Sequence, residues 1–248
     1  MERDNIFEKY YQAALNDIFI VDETYSSIFK ISDNVQAINR ANFGHLFGRI
    51  QENFRELMII AVGRLFDVSR NVLSLPGMLA AAPRFSLMNK DGLLDELRKL
   101  NISEQTLQKI SREGLSEGAS VELSRHFPAR KNFPELDRVI NMRHKEIAHR
   151  DSLAEKFERP AFLDVRACLN IAKDWLACFA LGVKNTSLKD NRGHFFISDD
   201  AEATSRTIGR VLESLFVVPP ESPFMLDYIA KEGNARLQKL KADISRER

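Results

Sequence analysis

Apolar residues recur at helical spacing along most of this chain, so its burial problem must be solved by packing helix on helix. The clearest run is Phe54, Leu57, Met58, Ala61, Val62 and Leu65. A second run is Leu136, Val139, Ile140 and Ile147, and an arginine interrupts it. At about 100° per residue, Arg143 falls on the same face, between Ile140 and Ile147. A guanidinium facing a core needs a partner, because an unpaired buried charge is expensive. Two readings of Arg143 follow. It is one half of a buried ion pair, with Asp67 or Asp151 as the other half, or it binds an anion.

The rest of the chain fits this helical frame. A first helix is predicted over about 4–29. Ser32-Asp33-Asn34 then supplies cap residues for a long second helix reaching Leu65 or Phe66. Asp67 to Asn71 breaks it, and Leu75-Pro76 starts a short helix with proline near its first position. Residues 91–125 read as two or three short helices separated by Gly92, Gly114 and Gly118. Phe133-Pro134 opens the helix that carries Arg143 and is expected to end near 149–152. Pro160 begins a long buried helix through Val183. After the polar stretch 184–200, in which 194–197 form a short strand or tuck aromatics under a loop, two more helices are expected over about 201–217 and 223–244. No repeat or low-complexity linker divides the chain. The expectation is an all-α fold: a single domain, an antiparallel bundle of long helices, with a C-terminal helical extension over about 201–248.

Composition permits a substantial core, since 44% of the 248 residues are hydrophobic and 17 are phenylalanine. Trp175 reads as core. Cys168 and Cys178 stand ten residues apart on one predicted helix, too far to bridge, and read as small buried apolar residues in a reducing compartment. The charged N-terminus lacks a signal-peptide core, and no apolar run is long enough to span a bilayer. A soluble, cytoplasmic chain with no membrane partner is expected. The net charge of +1 gives no global field toward a polyanion, but charge is uneven. Residues 125–150 carry seven bases against three acids, and three of the five histidines. A polyanion-binding surface looks like this, and so does a solvated helix face.

Most catalytic signatures are absent. The sequence has no P-loop, no dinucleotide fingerprint, no zinc-ligand spacing, no HExxH and no GxSxG elbow, so no cofactor and no metal are expected. His45, His126 and His194 are isolated and read as surface or capped histidines. His149, six residues beyond Arg143, is a different case. A histidine exchanges a proton near neutral pH, and an arginine that binds an anion beside it suits phosphodiester chemistry. On a straight helix His149 lies roughly 140° off the apolar stripe, which also fits a plain surface histidine.

The segment Arg143-His144-Lys145-Glu146-Ile147-Ala148-His149 resembles the signature of the HEPN superfamily: an arginine, a polar residue, a few variable residues and a histidine, near the end of a helix in an all-α bundle. The flanking IAHRD, with Gly63-Arg64-Leu65-Phe66-Asp67 and Leu73-Ser74-Leu75 upstream, resembles its abortive-infection, AbiU-like branch. The residues that carry this resemblance span roughly 35–185.

The resemblance implies a metal-independent endoribonuclease of phage-defence or toxin type. RNA would be its substrate, and a nucleotidyltransferase-like antitoxin would accompany it in some settings. His149 would be the general base on the ribose 2′-hydroxyl or the acid on the leaving oxygen. Arg143 would hold the scissile phosphate. His144 would orient the pair, although that position is commonly Asn in this branch. Lys145, Arg150 and Arg138 would bind substrate. Arg143 and His149 lie about 9 Å apart along a helix axis, so one helix makes a poor site. In the family, two protomers set their motif helices side by side. A homodimer is therefore implied, with the Arg143 stripe forming part of its interface. The alternative is a non-catalytic helical module of the same fold that binds a nucleotide, RNA or protein partner, or an unrelated helical interaction protein in which Arg143 only pairs with a carboxylate.

Overall fold

The computed structural model describes residues 2–144 and 158–216. Among them the fold is all-α, a bundle of ten helices with two short 3₁₀ turns and a single isolated bridge between Lys189 and Phe195. The longest are α1 (Glu2–Asp33), α3 (Gly44–Leu65), α9 (Phe162–Lys184) and α10 (Phe196–Phe216). Side-chain contacts set their directions. Arg64 reaches Asp17, and Gln51 reaches Ile28 and Ser32, so α1 and α3 run antiparallel. Lys184 meets Glu8, and Lys173 meets Asp22, so α9 is also antiparallel to α1. In contrast, α10 runs along α1 in the same direction, with Ser198 on Asp22 and Thr204 on Glu23.

The expected second helix is two helices. A short α2 (Val35–Arg40) ends at Ala41, and α3 begins at Gly44. Asn42 makes the break with φ 63°, in the left-handed region that Asn tolerates better than most residues. Of the three glycines expected to separate helices, only Gly114 does so, with φ 65°, between α6 (Glu104–Glu113) and α7 (Glu117–Arg125). Gly92 and Gly118 lie inside first turns. Asn89 accepts from the Gly92 N–H at 2.8 Å at the start of α5 (Lys90–Lys99). Ser116 accepts from the Ala119 N–H at 3.2 Å at the start of α7. These caps satisfy first-turn donors and outweigh the local cost of glycine. The aromatics of 194–197 do both expected things in part: Phe195 bridges to Lys189 and is buried, and Phe196 already begins α10. The helix expected over 223–244 lies outside the described residues.

One large core runs from α1 through α9. Trp175 packs edge-on against Phe127 at 5.1 Å, and Phe127 lies 5.5 Å from Phe66. Both cysteines are buried and free, and burial pushes the Cys168 thiol up to about 12, so each is a packing residue. A small second core of Ile31, Ile38, Phe47 and Leu212 joins α10 to the far end of α1 and α3. Among the described residues no helix is long and apolar enough to cross a membrane.

Candidate active site

Helix α8 (Pro134–Met142) brings the arginine motif into place. Proline occupies its first turn, and Leu136, Val139 and Ile140 face the core. This part of the apolar stripe is covered within one chain, and Ile147 lies outside the described residues. After Met142 the backbone passes into a π-type turn at Arg143 and His144. Such turns interrupt the regular α-helical register. Lys145, His149 and Arg150 lie outside the described residues.

Arg143 occupies a socket made by α3 and the turn after it. Its Nη1 donates to the Gly63 carbonyl at 3.1 Å and to Asp67 Oδ2 at 3.3 Å. Of the two expected ion-pair partners, Asp67 pairs with Arg143, and Asp151 lies outside the described residues. A Cβ on Gly63 would stand 2.3 Å from Arg143 Cδ and 3.0 Å from its Nε. The absence of a side chain at 63 is what lets the arginine lie against α3. Glycine is needed here for that close approach.

The carboxylate is itself fixed. The Ser69 N–H donates to Asp67 Oδ1 at 2.9 Å. The Ser74 hydroxyl donates to the Asp67 carbonyl at 2.6 Å and accepts from the Gly77 N–H, as the N-cap of α4 (Leu75–Ala81). One cap residue therefore starts a helix and pins the turn that holds Asp67. Partial burial pushes the Asp67 carboxyl up, but hydrogen bonds from Ser69 and Arg143 outweigh it and hold it below the usual carboxylate range.

Beside this socket lies a cavity of about 540 Å³. Its walls include Phe66, Leu79, Phe127, Leu136 and Ile140. Arg143 and His144 line it, as do Arg130 and Lys131 from the 3₁₀ turn before α8, and Asp67 contributes its carboxylate. Arg130 is held by Asp137 at 2.7 Å and Asn141 at 2.8 Å.

Arg138 goes elsewhere. It makes a bidentate pair with Asp164 on α9, at 3.0 and 2.6 Å, while Asp164 Oδ2 caps that helix by accepting from the Ala161 N–H at 2.7 Å. The Arg138 hydrogen bonds hold the Asp164 carboxyl low despite its burial. Arg138 does not line the cavity. The structure thus brings Arg143 and His144 to one cavity and ties Arg138 into the bundle. Gly63, known from sequence only as part of the resemblance, and Arg130 and Lys131, known only as members of the basic stretch, gain a place at the site. The signal for Gly63 was its place inside an apolar helical run, where glycine costs about 1 kcal/mol relative to alanine. Elsewhere, His126 accepts or donates to Ser103 and Thr106, and His194 lies 3.5 Å from Asp190. Among the described residues no group of His, Cys, Asp and Glu is arranged to hold a metal ion.

A family model described as AbiU2, of the HEPN type, matches residues 4–181. The match begins within α1, ahead of the residues that carry the sequence resemblance, and it stops before α10. No curated protein and no solved structure matches the chain.

Proposed function

This chain belongs to the HEPN AbiU2 family, and we propose that it is a metal-independent endoribonuclease of the defence or toxin type. The observation that carries this reading is the Gly63–Asp67 socket, which holds the Arg143 guanidinium at a cavity edged by further cations. Both hydrogen bonds of Arg143 leave from Nη1, so Nη2 has no protein partner among the described residues. An arginine held by one nitrogen retains donors for a phosphate.

In the proposed reaction His149 takes the proton from the ribose 2′-hydroxyl. The 2′-oxygen bonds to phosphorus as the bond to the 5′-oxygen breaks. The leaving oxygen takes a proton from the His149 of a second copy, and the products are a 2′,3′-cyclic phosphate and a 5′-hydroxyl. Arg143 stabilises the charge that develops on the phosphate. His144 orients the pair, and Lys145 and Arg150 extend the basic surface. A homodimer supplies the second motif helix. Purified protein should cleave single-stranded RNA in EDTA, with DNA resistant because it lacks the nucleophile. His149→Ala and Arg143→Ala should each lower cleavage by about 10³-fold or more, and Arg143→Lys should lose most activity because a single ammonium replaces the fork. A strict requirement for Mg²⁺ or Mn²⁺, or a monomer by light scattering at tens of micromolar that still cleaves, would overturn the mechanism as written.

The Asp67–Arg143 pair also favours a second reading, in which the motif arginine is a structural tie and the chain is a non-catalytic binding module. That reading expects Arg143→Ala to lower the thermal midpoint while no RNA is cut by either protein at any pH from about 5 to 9.

A further inference from the structure

We propose that the cavity beside Arg143 is a nucleobase subsite, which takes the base of a nucleotide adjoining the scissile phosphate. The proposal rests on the ribonuclease reading of Arg143 for its place in the reaction, but not for the binding itself.

The shape and chemistry of the cavity point to this ligand. Its volume of about 540 Å³ falls in the range of small-molecule sites. A nucleotide has two flat apolar faces, a polar edge and an anionic group, and the cavity offers a counterpart to each. Phe66 and Phe127 supply aromatic wall, with ring centroids 5.5 Å apart and planes inclined by 36°. Trp175 packs edge-on against Phe127. Leu79, Leu136 and Ile140 complete the apolar lining, and all three are buried within the chain, so the walls are preformed.

The anionic group is met by cations. Arg130, Lys131 and Arg143 line the cavity against the single carboxylate of Asp67. Lys131 is exposed and has no ion pair among the described residues. The polar edge of the base meets acceptors. Asp67 accepts from Ser69 at Oδ1 and from Arg143 at Oδ2, and the Ser124 hydroxyl spends its proton on the Val121 carbonyl at 2.7 Å and keeps its lone pairs. Among the lining groups Asp67 and Ser124 accept while Arg130, Lys131 and Arg143 donate, and an exocyclic amino group offers those acceptors a donor where uracil presents a carbonyl, which favours adenine and cytosine over uracil.

The test uses binding and cleavage together on the full chain. Ala129 lines the cavity, is exposed, and has extended backbone at φ −118° and ψ 150°, which phenylalanine adopts without strain. Ala129→Phe fills the opening and leaves the core untouched. Calorimetry with AMP, CMP and UMP should show the amino-bearing nucleotides binding more tightly than UMP, and Ala129→Phe should weaken the tighter of them by about tenfold or more. Lys131→Glu should weaken AMP and leave adenosine unchanged. In RNA digests mapped to single nucleotides, Ala129→Phe should redistribute the cleaved sites. Wild type that cuts RNA with the same sites and rates as Ala129→Phe, and binds no nucleotide that the substitution weakens, overturns the subsite and leaves the ribonuclease reading intact. Wild type that binds AMP in a cavity blocked by Ala129→Phe, yet never cuts RNA, keeps the subsite and overturns the ribonuclease reading. UMP binding as tightly as AMP and CMP overturns the amino-group selectivity.

Discussion

Two arginines leave the same short stretch of chain and meet opposite surroundings. Arg138 and Arg143 are equally accessible, with side chains 23% and 25% exposed, so exposure does not separate them. Geometry does. Arg138 is matched nitrogen for oxygen by Asp164, whose other duty is to cap α9. Arg143 touches its carboxylate through one nitrogen at 3.3 Å, lies against a carbonyl made reachable by a glycine, and borders a cavity. A bidentate pair away from the cavity is a fastening. A one-point pair beside a preformed space keeps donors for a ligand. A charge count of this segment treats both arginines as one basic patch, and the structure divides them.

The sharpest way to break this comparison is to remove the fastening. Asp164→Ala deletes the bidentate partner of Arg138 and the cap on the Ala161 N–H together. Breaking a buried pair from one side leaves an uncompensated charge, and Asp164 is 6% exposed. The expected effect is a clear loss of stability, smaller than for a fully buried pair because the Arg138 left behind keeps contact with water. Chemical denaturation measures it. RNA cleavage by the remaining folded protein should be unchanged, and a specific loss of cleavage would move Arg138 into the site.

Gly63→Ala sharpens the comparison from the other side. Alanine at a helix interior gains roughly 0.8–1.0 kcal/mol over glycine. Here its Cβ would collide with the middle of the Arg143 side chain, which can swing away. The thermal midpoint should therefore hold or rise, while displacement of the guanidinium by about an ångström lowers cleavage roughly 100-fold. A more stable and less active protein is the expected signature. Full activity in Gly63→Ala would mean that the socket does not position Arg143 for its task.

This socket also marks where the sequence stops being legible. Helical periodicity is local, so α4, α9 and the core role of Trp175 could be read from neighbours in the chain. The anomalous arginine was legible for the same reason, because it breaks a local pattern. Its partner was legible only as one of two aspartates, since the Gly63 carbonyl and Asp67 lie across the fold on another helix. The division of the second helix at Asn42 was hidden because asparagine enters the left-handed region without a compositional sign. Periodicity also reports burial and not what does the burying: Leu136, Val139 and Ile140 are covered within the chain, and the stripe's continuation at Ile147 lies outside the described residues.

The smallest effect is the most specific in sign, and it sets Asp67 against Asp17, the two carboxylates that pair with arginines at the end of α3. Burial raises the Asp17 carboxyl above its usual range, with Arg64 offsetting only part of the shift. Asp67 is held below that range. A carboxylate with a lowered folded value stabilises the fold above its unfolded value, near 3.9, and loses that contribution as pH falls through the folded one. A raised carboxylate does the reverse: it costs stability at neutral pH, and the cost is relieved as acid protonates it in the fold. Because Asp67 and Arg143 are both partly exposed, with side chains at 18% and 25%, the Asp67 contribution should be under about 1 kcal/mol. The stability difference between wild type and Asp67→Asn should be flat from pH 7 to about 5 and shrink below about 4, where the unfolded carboxylate also protonates. For Asp17→Asn the pH-dependent part of the difference should change in the opposite direction and begin at higher pH. If both variants shift with the same sign, Asp67 is buried like Asp17, and Arg143 is a second fastening rather than a held donor.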